Sequence, residues 1–101
     1  MDQRIDRARQ IKSGIRDVLL REWDPIGVRD IPEAHGEYDG YVGGVYRLLA
    51  SNASEDQLVE HLDQIETAGM GLIAPGESAR AERIAELHRV ASRLRNLNIR
   101  L

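Results

Sequence analysis

The chain has 101 residues, 42% hydrophobic and 31% charged, with a formal net charge of -3 and no cysteine. That length supports one domain with a single core. The missing thiols exclude disulfides and thiolate metal sites, and no apolar run approaches the roughly 20 residues that span a membrane as a helix.

The N-terminus, M-D-Q-R-I-D-R-A-R-Q, is charged throughout and has no apolar signal segment. A cytoplasmic protein is the expectation. A first helix is predicted over residues 2–22, where Ile5, Ala8, Ile11, Ile15, Val18 and Leu19 recur at helical spacing. Pro25 ends it, because the residue before a proline is pushed out of the α region. Asp24 is the expected end-point, and Trp23, the only tryptophan, is expected to be buried against the second helix.

Residues 24–37 hold Pro25, Gly27, Pro32 and Gly36 and show no sustained period. They read as a loop, long for a helix connection, which usually takes about two to eight residues. Ile26, Val28 and Ile31 are expected to pin it to the bundle. The second helix is predicted over residues 38–51. Its apolar face is Tyr38, Tyr41, Val42, Val45, Leu48 and Leu49, with Tyr46 at the border. Gly40, Gly43 and Gly44 fall opposite, a face on which another backbone could approach closely.

The third helix, residues 54–68, opens with Ser54-Glu55-Asp56-Gln57, the form of a capping box. Leu58, Val59, Leu62 and Ile65 make its apolar stripe, and Gly69 is its expected stop. The short turn around Asn52 makes the second and third helices antiparallel neighbours. Residues 69–77 read as a turn with Met70, Leu72 and Ile73 buried. The fourth helix, residues 78–96, turns Ile84, Leu87, Val90, Ala91 and Leu94 inward and pairs Glu86 with Arg89. The fold expected is all-α: a single-domain, four-helix bundle-like fold over residues 1–101, with a long loop between helices 1 and 2.

Catalytic strings are missing. His35, His61 and His88 lack the spacing of a helical metal site, so no metal or cofactor is expected. There is no G-x-S-x-G, and Y-D-G-Y-V-G-G-V-Y lacks the strand and lysine of a phosphate loop. Asp24 before Pro25 suits an Asx turn better than acid–base work. No catalytic residue is assigned, and the chain is read as a non-enzyme.

Charge is segregated along the chain. Residues 1–23 are net +2, residues 24–77 net -9 and residues 78–101 net +4. One reading packs the basic ends against the acidic middle. The other leaves an acidic surface for a basic protein partner. On that second reading the contact residues are Asp30, Glu33, Glu37, Asp39, Asp56, Glu60 and Asp63, and the protein is a small binding module, immunity- or antitoxin-like. Two alternatives are an enzyme using the loop carboxylates and nucleic-acid binding through Arg80, Arg83, Arg89, Arg93 and Arg95. Nucleic acid ranks last, since that helix has no interleaved aromatics and the pI is 5.6. No membrane partner is expected. The glycine face, with Leu97, Ile99 and Leu101, could support a homodimer.

W-D-P-I-G-V, then E-Y-D-G-Y-V-G-G-V-Y-R-L-L, A-S-E-D-Q-L-V-E-H-L-D-Q-I-E and M-G-L occur in order within residues 15–72. This arrangement resembles a family of short bacterial helical proteins of unknown function. Its members carry a W-D-P-I element, a Y-D-x-Y element opening the next helix, and an amphipathic helix ending in I-E. Trp23, Asp24, Pro25, Tyr38, Asp39 and Tyr41 match that motif. The resemblance implies a small helical fold and no established activity. The basic helix after Pro75 lies outside it.

Overall fold

The computed structural model describes residues 3–97, with side chains from Arg7 onward. Four α-helices make the fold: α1 (Gln3–Val18), α2 (Asp39–Ala50), α3 (Glu55–Gln64) and α4 (Glu77–Arg95). Among the described residues there is no strand. The all-α, four-helix expectation is met. The expected contributions of Ile5, Ile99 and Leu101 fall outside the described side chains.

Both α1 and α3 end in a π turn, over Leu19–Trp23 and Ile65–Gly69. Asp24 closes the first by donating its N–H to the Leu19 carbonyl at 2.9 Å, and Met70 closes the second on Ile65 at 2.8 Å. Asp24 takes left-handed backbone angles as it stops α1 (φ 32°), in keeping with Pro25 behind it. At the end of α3 the left-handed residue is Gly71 (φ 70°), two residues beyond the glycine expected to stop the helix. The π turn takes Gly69 in as its last residue, with Met70 as the cap.

The start of α3 is as read from sequence. Ser54 accepts the Gln57 N–H, and the Gln57 side chain accepts the Ser54 N–H, satisfying two donors that a helix start otherwise leaves open. The closest helix pairings are α3 with α4 and α1 with α2. Between α2 and α3 stands the His61 ring, whose Nε2 lies 3.3 Å from where a Cβ on Gly44 would be. Gly44 therefore makes room for an imidazole. Gly40 and Gly43 face open space, and no backbone of the described chain comes down on the glycine face. The core gathers Ile15, Leu19, Trp23, Tyr38, Val45, Leu58, Leu62, Leu87 and Leu94. Leu97, just past the end of α4, packs over Gly14, 3.5 Å from where a Cβ on that glycine would stand, so both serve the α1–α4 contact.

Two expectations about the connections are corrected. Only Val28 of the long loop's three aliphatic residues is buried, while Ile26 and Ile31 are 45% and 47% exposed. In the α3–α4 connection Leu72 is 37% and Ile73 81% exposed, with Met70 half-buried. The loop is held by polar bonds, which leaves these side chains free to face outward.

Candidate functional site

Trp23 is 3% exposed and packs on the opening of α2, its ring centroid 5.3 Å from that of Tyr38 and 5.9 Å from that of Tyr41. Its burial against the second helix is as expected. Its indole Nε1 donates to Glu66 Oε2 at 2.7 Å, so the two π turns are tied together across the core. Glu66 is the one buried charged residue among those described. A buried carboxylate needs partners that offset its lost hydration. Arg83 supplies them, with Nε on Oε1 at 2.7 Å and a second nitrogen on Oε2. Arg83 also reaches Glu86 at 2.7 Å, taking the acid that the sequence pairs with Arg89. Pairing with Glu66 pushes the Arg83 pKa further up. Helical spacing puts Glu66 on the apolar face of α3, four residues after Leu62 and seven after Val59, but a charged side chain is not counted in an apolar stripe, and only the structure shows the partners that let it be buried there.

Beside this lock, Asp24 fixes the long loop. Its Oδ1 accepts the Val28 N–H at 2.7 Å and the Tyr38 hydroxyl at 2.8 Å, and its Oδ2 accepts the Arg29 N–H at 3.2 Å. Burial works to raise the Asp24 pKa, but these hydrogen bonds and the Arg29 charge outweigh it and hold the carboxyl below its ordinary value. The Tyr38 hydroxyl in turn accepts the Ile26 N–H at 3.1 Å. Burial, helped by the neighbouring Asp24, pushes the Tyr38 phenol up to about 12. Further along, His35 Nε2 donates to the Arg29 carbonyl at 2.7 Å, and a 3-10 turn covers Pro32–Ala34. The W-D-P-I and Y-D-x-Y elements thus meet as one structural unit. Their aromatic rings pack together, and their Asp and Tyr polar groups clamp the loop.

The seven acids named from the sequence separate into two groups. Asp63 takes both terminal nitrogens of Arg80 at 2.6 Å, and this pairing holds its pKa below the ordinary value. Asp39 pairs with Arg16 at 2.8 Å. Asp56 stands 4.0 Å from His88, whose Nδ1 donates to Glu55 at 2.8 Å. Asp30, Glu33, Glu37 and Glu60 are exposed and have no ion-pair partner among the described residues. The arginines of α4 answer much of the acidic middle: Arg80 holds Asp63 and Arg83 holds Glu66, while Arg93 reaches back to Glu22 at 3.0 Å.

The two connections come together at one end of the bundle. Pro25 of the loop, Leu72, Ile73 and Ala74 of the α3–α4 connection, and Ala79, Arg80 and Arg83 of α4 line a cleft of about 330 Å³ with Glu66 at its floor. Among the described residues the large apolar side chains that stand exposed are Ile26, Ile31, Leu72 and Ile73, all on these two connections. No group of three or more His, Asp or Glu there or elsewhere among those residues could hold a metal ion. No helix among them is long and apolar enough to cross a membrane.

Fold and site together define a small helical bundle with a clamped, acidic loop end. No protein-family model, curated protein or solved structure matches this chain. The family likeness of its W-D-P-I and Y-D-x-Y elements therefore rests on those residues alone.

Proposed function

We propose that the protein is a non-enzymatic binding module that presents the acidic loop end of its bundle to a basic protein partner. The observation that supports this most directly is the state of Asp30, Glu33 and Glu37. They are exposed and unpaired on a loop whose backbone is already fixed by Asp24, Tyr38 and His35. A loop ordered before binding loses less conformational entropy in the complex. Asp39 and Asp63 drop out of the contact surface because Arg16 and Arg80 already pair with them, while Asp56, 91% exposed with His88 at 4.0 Å, stays at its periphery. Glu60 stays as a peripheral charge.

An immunity- or antitoxin-like inhibitor of a basic protein is the biological form this reading takes. The other readings have less support. Asp24 spends both oxygens on the loop backbone and Tyr38, which leaves it poorly placed as a general base. On α4 the arginines Arg80, Arg83 and Arg93 are engaged with carboxylates, which weakens a phosphate-binding face. The test is affinity capture with the tagged chain, then association kinetics of the captured protein at two salt concentrations. Reversing Asp30, Glu33 and Glu37 to Lys should slow association about tenfold or more at low salt and little at high salt. An acidic partner, or an on-rate indifferent to both salt and charge reversal, defeats the proposal.

A further inference from the structure

We infer that the groove between α1 and α2 binds a compact phosphorylated ligand of the diphosphate type. The inference does not depend on the acidic-loop reading above. Arg9, Lys12, Ser13 and Arg16 line one side of the groove and Asp39 and Val42 the other, around about 330 Å³. The four α1 residues are exposed and fall at i, i+3, i+4 and i+7, one stripe of that helix.

The charge of the lining decides what the groove accepts. Arg9, Lys12 and Arg16 stand against one carboxylate, Asp39, which leaves a surplus of two positive charges. Of the three cations only Arg16 meets that carboxylate, and by a single bond. Its Nε donates to Asp39 Oδ1 at 2.8 Å, while its terminal nitrogens donate to no described residue. Arg9 has no ion pair or hydrogen bond among the described residues. The Lys12 ammonium lies 5.1 Å from the centroid of the Tyr46 ring, a contact that orients it without neutralising it. Like charges three and four residues apart on a helix repel, so an anion lying among these side chains relieves a cost that the fold leaves in place.

Size and geometry narrow the ligand. Two helical turns, about 10 Å, separate Arg9 from Arg16, and Lys12 stands between them. Guanidinium forks and ammonium groups are the usual donors to phosphate oxygens. A tetrahedral phosphate accepts from several directions at once, the Ser13 hydroxyl included, whereas a planar carboxylate suits one fork. The volume is at the small end of the roughly 300–1,000 Å³ of ligand sites, which fits a diphosphate with little beyond it. No aromatic residue among those described lines the groove, so there is no platform on which a nucleic-acid base could stack.

The experiment is calorimetric titration of the full chain with pyrophosphate at low ionic strength. The expected result is saturable one-to-one binding. Arg9→Gln and Lys12→Gln should each weaken it about three- to tenfold, the scale of one charge-assisted contact near the surface. Asp39→Asn should tighten it about twofold or more, because it removes the groove's negative charge and frees Arg16. Arg89→Gln, at an exposed α4 position with no ion pair among the described residues, should change nothing. Circular dichroism confirms that the variants keep the fold. Absence of pyrophosphate binding overturns the site, as does binding that Arg89→Gln weakens as much as Arg9→Gln. Equal affinity for citrate overturns the assignment to phosphate. A short DNA duplex, or a vesicle of anionic lipid, that engages Arg9 and Lys12 more tightly than pyrophosphate overturns the assignment to a small ligand. None of these results bears on the acidic loop, whose charge reversals and partner kinetics are read separately.

Discussion

Removing Arg83 while keeping Glu66 should cost more than removing the whole charge pair. In Arg83→Met the aliphatic stem is roughly preserved, but Glu66, 3% exposed, keeps only the Trp23 indole as donor. Leaving a buried charge without its partner costs about 3–5 kcal/mol. The Arg83 side chain is 25% exposed, so water screens part of the loss and about 3 kcal/mol is the better figure. That is a large share of the roughly 5–15 kcal/mol available to a domain. With a urea slope near 1–1.5 kcal/mol per molar, the midpoint should fall by roughly 2–3 M. Adding Glu66→Gln removes the stranded charge and keeps an oxygen for Trp23. The double variant should therefore recover at least about 1 kcal/mol relative to Arg83→Met alone, a coupling read directly from a double-mutant cycle. If the double variant is less stable than Arg83→Met, the account of Glu66 as a buried charge dependent on Arg83 is wrong.

Trp23→Ala should lose about 3–5 kcal/mol in urea unfolding, since it empties a core site and removes a donor from Glu66; a loss below about 1 kcal/mol would contradict the burial. On the alkaline side, Tyr38 has its pKa raised to about 12, so its contribution is intact below pH 10 and disappears as pH climbs through about 12. About 2–3 kcal/mol is at stake, and Tyr38→Phe should flatten that limb of a stability–pH curve. On the acid side, Asp63 and Asp24 have lowered values, so their contributions hold above the ordinary 3.8 and are lost as pH falls through the lowered ones. Burial also lowers His61. Stability should begin to fall below about pH 6.5 as that ring is forced to protonate, and His61→Gln should delay the onset.

The elements and faces of this protein are set by local sequence. Ser54-Glu55-Asp56-Gln57 starts α3 through bonds within four residues, and Pro25 stops α1 by steric exclusion in its neighbour. Helical spacing was enough to turn Val42, Val45, Leu58, Leu62, Leu87 and Leu94 inward, because a 3.6-residue period reports an apolar face without reference to any other helix. Charge pairing was not legible in this way. The run of acids between Asp24 and Glu66 has only Arg29 and Arg47 nearby in sequence, yet Arg80 and Arg83 reach Asp63 and Glu66 from 17 residues away. Which cation meets which acid depends on how far one helix slides along another, and core packing sets that distance. The same holds for Glu66 itself and for Ile73. The first falls on the apolar face of α3 by spacing, but its carboxylate can stay buried only because Trp23 and Arg83 bring donors to it from other elements. The second is left outside because hydrogen bonds and left-handed glycines, Gly71 and Gly76, fix the path of its connection. Helix identity was decided within a few residues of chain, whereas the clamp, the cleft and the set of acids left free were decided by tertiary contacts between residues far apart in sequence.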